Sequence, residues 1–341
     1  MIKRSLVLVF YLIFSSNFAL AEQIAIPWTD IAKTWKLAFV REGNIWVANG
    51  DGSNQKFLIT NAESPSWSPN RKQIAFSRDC NLWIAESDGS KQRPLTKKWK
   101  KGNPDMCVLH ISWNPRNSFI TFSHPEYFMV GRIDGPKDFS YMHPQRNSVI
   151  RGASIFDVKI SDAEQRNPVV RFDIYEGGTS FNFTNHDNPA WSNSGGTLAF
   201  TRNSDIWIAE MEDETGSNWT ATRLAAVASY DEPTMRGSRE NHGATHLSWS
   251  PDDKYLTYSN QRLQGSGFAE LHVLEIKNGN DRILATDALD PSFSPDGQFV
   301  VYWSNYYQAE CGGGRSVCVW AVSVDGRTKR MLVTNAIQPA W

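Results

Sequence analysis

The stretch PSWSPNRKQIAFSR at positions 65–78 has three parts: a short segment ending in Trp67, a polar turn and a second strand-like segment. The last part, QIAFS, fits a period of two better than a helical period. Pro, Asn, Asp and Gly in such turns supply the backbone angles that a hairpin needs. The phrase returns four times, as HISWNPRNSFITFSH at 110–124, PAWSNSGGTLAFTR at 189–202, HLSWSPDDKYLTYSN at 246–260 and PSFSPDGQFVVYWS at 291–304. The recurrence predicts a repeat protein built from antiparallel strands.

A second phrase follows each copy of the first. Near copies are NIWVA at 44–48, NLWIA at 81–85 and DIWIA at 205–209, and weaker ones are ELHVL at 270–274 and SVCVW at 316–320. Several are followed by Asp-Gly, at 51–52, 88–89 and 325–326, which is a strong signal for a two-residue hairpin turn. A last short strand comes next, as at 55–60 and 329–334. Each unit is therefore predicted to contain four short antiparallel strands.

The spacing of the units predicts a β-propeller. The anchoring aromatic residues are separated by 46, 78, 58, 44 and 48 positions, and they are Trp67, Trp113, Trp191, Trp249, Phe293 and Trp341. About 45 residues per four-stranded unit is typical of a propeller blade. The spacing of 78 leaves room for an insertion at about 126–152, and a seventh, degenerate blade is the less favoured interpretation. We expect an all-β, six-bladed propeller that occupies 36–341 as a single domain.

The two ends of the chain supply complementary parts of one unit. Residues 36–41, 44–48 and 55–60 match the second, third and fourth strands of a blade whose first strand is missing. The last residues, IQPAW at 337–341, match a first strand with no successors. Pairing of the two ends would complete a sixth blade, close the ring and remove exposed sheet edges.

The N-terminal residues have the features of a secretory signal peptide. Lys3 and Arg4 precede the short apolar run LVLVFYLIF at 6–14, and a small-residue site ends at Ala21. We expect residues 1–21 to be removed, 22–35 to form a lead segment, and the protein to be periplasmic or secreted. The remaining 33 basic and 36 acidic residues argue against nucleic-acid binding. No later apolar run is long enough to predict a membrane span.

An oxidising compartment makes disulfides the expected state of the four cysteines. Cys80 and Cys107 are predicted to lie in loops on one face of the ring, so that a Cys80–Cys107 bond is geometrically sensible. Cys311 and Cys318 flank a Gly-rich segment typical of a pinched hairpin loop, which favours a Cys311–Cys318 bond.

The repeat resembles that of the TolB-like PD40 (WD40-like) β-propeller family. Residues 65–76, 81–89 and 95–96 match the family pattern closely, and 291–302 carry its full SPDG turn. The resemblance covers nearly all of 36–341 and implies the propeller fold; it is only weakly specific for function. Some family members precede a peptidase domain, but this chain has no G-x-S-x-G motif and no assembled set of catalytic residues. No catalytic residue is therefore assigned.

The first strand of each blade should run along the central channel, and the residue three positions before each anchor should lie at one channel mouth. We name these six the mouth residues: Ser64, His110, Asn188, His246, Asp290 and Gln338. Polar residues at a water-facing mouth need no further role. The alternative is a ring that binds a ligand, or a divalent metal held by the two His, the Asp and the Gln.

Three arginines are expected near the same face, at the ends of second strands: Arg41, Arg78 and Arg202. Arginine favours two-pronged contacts with carboxylates and phosphates, so these residues could form a patch for an acidic partner or an anionic sugar. The simpler interpretation is pairing with nearby carboxylates such as Glu42 or Asp79.

The sequence supports two interpretations of the function. The first is a non-catalytic scaffold of the cell envelope that binds a protein or peptide. The second is an enzyme, a metal-dependent lyase or hydrolase acting on an anionic oligosaccharide. The resemblance implies the second because oligogalacturonate lyases of this kind use a metal held by His and Gln, for which His110, His246 and Gln338 are the counterparts. A divalent metal at the mouth is the only cofactor that the residues suggest.

Overall fold

A computed structural model of the chain describes residues 32–96, 108–115, 119–125, 129–130, 140–141, 153–159, 169–171, 175–176, 179–180, 186–202, 205–211, 219–227, 243–261, 269–304, 311 and 316–341. The predicted signal peptide, most of the predicted lead segment and Cys107 lie outside these residues. In the described part, no helix is both long and apolar enough to cross a bilayer.

Most of the described residues lie in short strands, and turns connect them. The first fourteen are β1 (Lys36–Arg41), β2 (Asn44–Asn49), β3 (Lys56–Ile59), β4 (Glu63–Trp67), β5 (Gln73–Arg78), β6 (Asn81–Glu86), β7 (Arg93–Pro94), β8 (Leu109–Trp113), β9 (Phe119–Pro125), β10 (Met129–Val130), β11 (Ser140–Tyr141), β12 (Ala153–Lys159), β13 (Val169–Arg171) and β14 (Tyr175–Glu176). The others are β15 (Thr179–Ser180), β16 (His186–Trp191), β17 (Thr197–Arg202), β18 (Asp205–Met211), β19 (Trp219–Ala225), β20 (Gly243–Trp249), β21 (Tyr255–Gln261), β22 (Ala269–Glu275), β23 (Asp281–Thr286), β24 (Leu289–Phe293), β25 (Phe299–Ser304), β26 (Cys318–Ser323), β27 (Lys329–Thr334) and β28 (Ile337–Ala340).

The strands form the antiparallel blades of a propeller, confirming that part of the sequence prediction. Five sheets have four strands each: sheet 1 (β28-β1-β2-β3), sheet 2 (β4-β5-β6-β7), sheet 3 (β8-β9-β12-β13), sheet 5 (β20-β21-β22-β23) and sheet 6 (β24-β25-β26-β27). Sheet 4 has the order β16-β17-β18-β19 with β14 and β15 added at its outer edge. In sheet 1, β28 from one end of the chain pairs antiparallel with β1 from the other, Ala340 opposite Ala38 and Ile337 opposite Val40.

Residues 126–152 connect the second and third strands of sheet 3. Pro125, the last residue of β9, pairs with Ala153, the first residue of β12. Between them, β10 and β11 pair with each other in a separate two-stranded sheet. Part of the long spacing between Trp113 and Trp191 therefore lies between two strands that pair directly with each other.

The polar turn of the repeat is held by a local hydrogen-bond pattern. In sheet 5, Ser250 Oγ donates to Asp252 Oδ1 (2.7 Å) and accepts from the backbone N–H of Tyr255 (2.9 Å). Asp252 Oδ1 also accepts from the backbone N–H of Lys254 (3.2 Å). The same arrangement recurs at Ser294 and Asp296 in sheet 6. This explains why Ser and Asp recur two positions apart, since the pair fixes the turn between first and second strands.

The core lies between neighbouring sheets. Each second strand carries one fully buried aromatic ring, and these residues are Phe39, Phe76, Phe122, Phe200, Tyr258 and Tyr302. The rings of sheets 1, 2, 3, 5 and 6 pack with residues of the preceding sheet. Burial of a side chain of this size contributes about 2–3 kcal/mol. The anchor indoles also join sheets: Trp113 Nε1 donates to Ser66 O of sheet 2 (3.0 Å), and Trp249 Nε1 donates to Ala190 O of sheet 4 (2.9 Å).

The structure contains the predicted Cys311–Cys318 disulfide. Cys80 is also disulfide-bonded. Its predicted partner, Cys107, lies outside the described residues, so the Cys80–Cys107 pairing stays a prediction.

Candidate functional site: the channel mouth

The six mouth residues share an unusual backbone conformation. All six have positive φ, between 45° and 54°, although none is a glycine. The pairing of first and second strands also shifts register at this point in each sheet, for example between Thr245 and Ser248 in sheet 5. A bulge with a non-glycine residue in the left-handed region costs of order 1–3 kcal/mol. The strain turns the mouth residues out of the ladder at the same point in every first strand.

The first strands surround a cavity of about 580 Å³. All six mouth residues line it where their strands begin, and all six anchor aromatic residues line it where their strands end. Pro residues that precede or follow the anchors fill part of the wall between them. The cavity therefore has one polar end, the channel mouth, and one end lined by aromatic and turn residues, which we call the turn end.

Three mouth residues form a polar chain across the opening. His110 Nε2 lies 3.1 Å from His246 Nε2, and His246 Nε2 lies 2.7 Å from Asp290 Oδ1. His110 belongs to sheet 3 and His246 to sheet 5, so their contact spans the opening past sheet 4. Ser123 Oγ lies 2.8 Å from His110 Nδ1 and fixes that ring from behind. We call His110, His246 and Asp290 the polar bridge.

Two other mouth residues connect neighbouring first strands. Asn188 Oδ1 accepts from the backbone N–H of His246 (2.8 Å), and Gln338 Oε1 accepts from the backbone N–H of Ser64 (2.9 Å). In both pairs, the bulge leaves a backbone N–H without a partner in its own sheet. A side chain of the preceding sheet then accepts the hydrogen bond from that N–H. Asn188 and Gln338 thus have a structural role at the mouth whatever else they contact.

The environment of Asp290 keeps its carboxylate ionised. Burial alone would raise its pKa, but the charge and hydrogen bond of His246, a hydrogen bond from Trp303 Nε1 (2.7 Å) and the charge of His110 outweigh burial and hold the pKa below its usual value. The mouth therefore contains a fixed negative charge beside two imidazoles.

The structure brings only some of the predicted metal ligands into contact with one another. His110, His246 and Asp290 are in contact, whereas Gln338 uses its oxygen on Ser64. Among the described residues, no group of three or more His, Cys, Asp or Glu side chains has the arrangement of a metal site. The polar bridge is instead a chain in which His246 Nε2 faces both His110 and Asp290.

The arginines predicted for an anionic partner bind backbone carbonyls of the preceding sheet. Arg78 Nη2 donates to Thr60 O (2.8 Å) and Nε to Asn61 O (3.2 Å), while the guanidinium stacks over Phe76 and Trp83. Arg41 likewise donates to Thr334 O and Asn335 O and stacks over Phe39 and Trp46. Burial lowers the pKa of both guanidinium groups, more than the charges of Glu42 and Asp79 raise it. The side chain of Arg202 lies outside the described residues.

Ser123 contacts the mouth residue His110, although no role for it was expected from the sequence. It is fully buried on β9, next to Phe122, and its only sequence signal is a polar residue in an otherwise apolar strand.

Comparison with protein-family models finds no match, and comparison with curated proteins finds none either. Among solved structures, TolB from Acinetobacter baumannii matches 91% of this chain and 67% of its own, with a TM-score of 0.61 and 19% identity. A TolB structure from Agrobacterium tumefaciens matches 88% of each chain, with a TM-score of 0.51 and 15% identity. The chain folds as a TolB-like β-propeller.

A chain of a nidogen–laminin complex has a comparable likeness to this TolB-like propeller, with a TM-score of 0.56, 11% identity and coverage of 89% of this chain and 97% of its own. The TM-scores show a shared fold, and at identities this low the likeness extends no further than the fold. They leave the chemistry of the mouth to be argued from the residues of this chain.

Proposed function

We propose that this TolB-like propeller is an exported, non-catalytic binding module of the cell envelope, and that its channel mouth binds a segment of a partner protein. One observation carries the proposal: six non-glycine residues in the left-handed conformation present polar side chains at one end of a 580 Å³ cavity. Backbone strain repeated at one structural position tends to mark functional sites.

The mouth has hydrogen-bonding capacity to offer a partner. Within the described part of the chain, Ser64 Oγ and Gln338 Nε2 make no hydrogen bond. Ser64 belongs to sheet 2 and Gln338 to the neighbouring sheet 1. A peptide segment has backbone N–H and C=O groups that match such donors and acceptors, and the aromatic wall below them suits an apolar side chain.

The polar bridge supports binding over catalysis. His110 and Ser123 are in contact, as a base and a nucleophile would be. Ser123 is fully buried, however, so its hydroxyl cannot reach a substrate in the channel. We therefore propose that Ser123 orients His110. The polar bridge would keep the mouth narrow until a partner displaces its side chains.

We also propose that the propeller has six blades. Sheet 4 is counted as a blade because β16 to β19 repeat the order of the four-stranded sheets. The first strands neighbour one another in the series β4, β8, β16, β20, β24, β28 and again β4. The pairing of β28 with β1 would then close the ring.

Export is part of the same proposal. It rests on the signal-peptide features of residues 1–21 and on the disulfide-bonded state of Cys80, Cys311 and Cys318, which suits an oxidising compartment. Mass spectrometry of the N-terminus of the exported protein tests it. A mature protein that starts at Glu22 would support export, and an intact Met1 in the cytoplasmic fraction would contradict it.

A capture experiment tests the binding function. The tagged protein is crosslinked in its native envelope fraction, beside a His110→Ala/His246→Ala variant and a control variant, Lys56→Ala, on an exposed outer strand. We expect a protein partner that is captured by the wild type and the control but lost with the double variant. Equal capture by all three would overturn the proposal. Stoichiometric divalent metal in the wild type, lost in the double variant, would favour the metal-dependent enzyme instead.

A further inference from the structure

A second site lies at the turn end of the channel, opposite the mouth. Arg71 follows β4 at the turn position that Gly195 occupies in sheet 4, Asp253 in sheet 5 and Gly297 in sheet 6. All four residues have positive φ: 59° for Arg71, 72° for the two glycines and 58° for Asp253. A long side chain in this conformation is strained where the repeat elsewhere accepts glycine. Arg71 therefore occupies a backbone position that disfavours a long side chain.

Among the described residues, the guanidinium group of Arg71 has no hydrogen-bond or ion-pair partner. Its side chain lines the channel, and Nη1 is buried without a hydrogen bond. Across the described residues no carboxylate or carbonyl lies within bonding distance of this guanidinium. Burial lowers its pKa. Arg41 and Arg78, in contrast, satisfy their guanidinium groups on backbone carbonyls.

A second unsatisfied donor lies in the same hairpin. Trp67 is 8% exposed, and its Nε1 is buried without a hydrogen-bond partner. The equivalent indoles of Trp113 and Trp249 each donate to a first-strand carbonyl of the preceding sheet. A buried donor left unsatisfied is destabilising, because it has lost its hydrogen bond to water and gained none in the protein. Two such donors, four residues apart and lining one cavity, indicate an acceptor that a ligand supplies.

The equivalent residue in sheet 5 shows where such a side chain points. Asp253 crosses to the turn of sheet 4, where its carboxylate accepts from the backbone N–H of Asn193 (2.6 Å) and of Ser194 (2.8 Å). The equivalent direction from sheet 2 leads to sheet 1, and Trp67 packs in one cluster with Ile337 and Ala340 of β28. The site is therefore at the sheet 1–sheet 2 junction.

We propose that this junction binds the carboxylate group of a ligand, with Arg71 and the indole N–H of Trp67 as its donors. A guanidinium and a carboxylate match in geometry and charge, and the pairing supplies the acceptors that both side chains lack. The aromatic and proline wall of the channel suits an apolar group attached to that carboxylate. The inference does not depend on the partner proposed for the mouth, which lies at the other end of the first strands.

Titration with N-acetyl-phenylalanine tests the proposal, with N-acetyl-phenylalaninamide as the uncharged control. The readout is the indole ¹H–¹⁵N signal of Trp67, assigned by its loss in a Trp67→Phe variant. We expect the acid to shift this signal and the amide to leave it unchanged. An equal response to acid and amide would overturn the proposal. A parallel titration with glucuronate distinguishes sugar acids from peptide termini as the source, and a shift with either acid supports a carboxylate site.

Three variants separate binding from folding. Arg71→Gly should weaken binding of the acid at least ten-fold while keeping or raising the thermal unfolding midpoint, because glycine relieves the backbone strain. Arg71→Lys should retain part of the affinity. Asp253→Gly, at the equivalent turn of sheet 5, should lower stability and leave binding unchanged. Binding of equal affinity in wild type and Arg71→Gly would refute the role of Arg71.

Discussion

Replacing Trp341 by alanine should destabilise the protein as much as replacing an anchor in the middle of the chain. Trp341 is 6% exposed, although it is the last residue of the sequence. It packs with Leu37 and Phe39 of β1 and with Val301 and Val319 of sheet 6. Its ring also meets that of Trp35 edge to face, with centroids 6.1 Å apart. These contacts come from both ends of the chain and from the neighbouring sheet.

The expected loss can be estimated from this burial. Truncation of a buried Trp to Ala costs about 3–5 kcal/mol, including the cavity that it leaves. With a urea dependence of about 3 kcal/mol per molar, the unfolding midpoint should fall by about 1–2 M. Urea unfolding followed by far-UV circular dichroism measures the midpoint and its slope for the wild type and the variant.

Trp249→Ala is the matched control, because Trp249 occupies the same position in sheet 5 and is 7% exposed. If β28 is an integral first strand, the two variants should lose similar stability. A loss below about 1 kcal/mol for Trp341→Ala, together with the full loss for Trp249→Ala, would show that β28 frays and that its pairing with β1 does not close the ring.

Three further outcomes follow from the contacts. Asp253→Ala should lower the free energy of unfolding by about 1–3 kcal/mol, because the backbone N–H groups of Asn193 and Ser194 lose their acceptor; urea unfolding checks this. The folded pKa of Asp290 is below its unfolded value, so its ionised form contributes stability above about pH 4 that is lost as the pH falls through the folded pKa. Asp290→Asn should therefore cost more stability at pH 7 than at pH 3, and an equal cost at both pH values would contradict the ionised carboxylate. Cys311→Ser/Cys318→Ser opens a loop with a sequence separation of 7, which should cost about 2.5 kcal/mol by loop entropy and lower the thermal midpoint under non-reducing conditions.

The sequence was sufficient to predict the blades because their signals are local. The phrase at 81–85 predicted a strand that the structure extends by one residue, to Asn81–Glu86. The Asp-Gly pairs at 51–52 and 88–89 predicted the turns of two hairpins, β2–β3 and β6–β7. Both glycines have positive φ, as such turns require. The pairing of β28 with β1 was also predictable, because each end of the chain lacked what the other supplies.

The geometry of the mouth could be predicted only in outline. Its six positions followed from their distance to the anchor residues, but their left-handed conformation did not, because Ser, His, Asn, Asp and Gln share no conformational signature. The contact between His110 and His246 joins residues 136 positions apart across the opening, which no local pattern encodes.

The arginines show a different limit of sequence reasoning. Arg41 and Arg78 were hypothesised to form an anionic-ligand patch or to pair with carboxylates, and the structure gives them carbonyl partners that carry no sequence signal. The unusual position of Arg71, in contrast, can be recognised from the sequence. It stands where another copy of the turn, at 294–297, has the glycine of SPDG.

Site-specific photo-crosslinking at the mouth tests the binding function most directly. A photoreactive phenylalanine analogue is placed at Ser64, which is free of side-chain hydrogen bonds within the described residues, and at Lys56 on an outer strand as the control. We expect one crosslinked protein species from the native envelope at position 64, reduced by His246→Ala, and no such species at position 56. The same crosslinked products at both positions, or none at position 64, would contradict the claim that the channel mouth is the binding site.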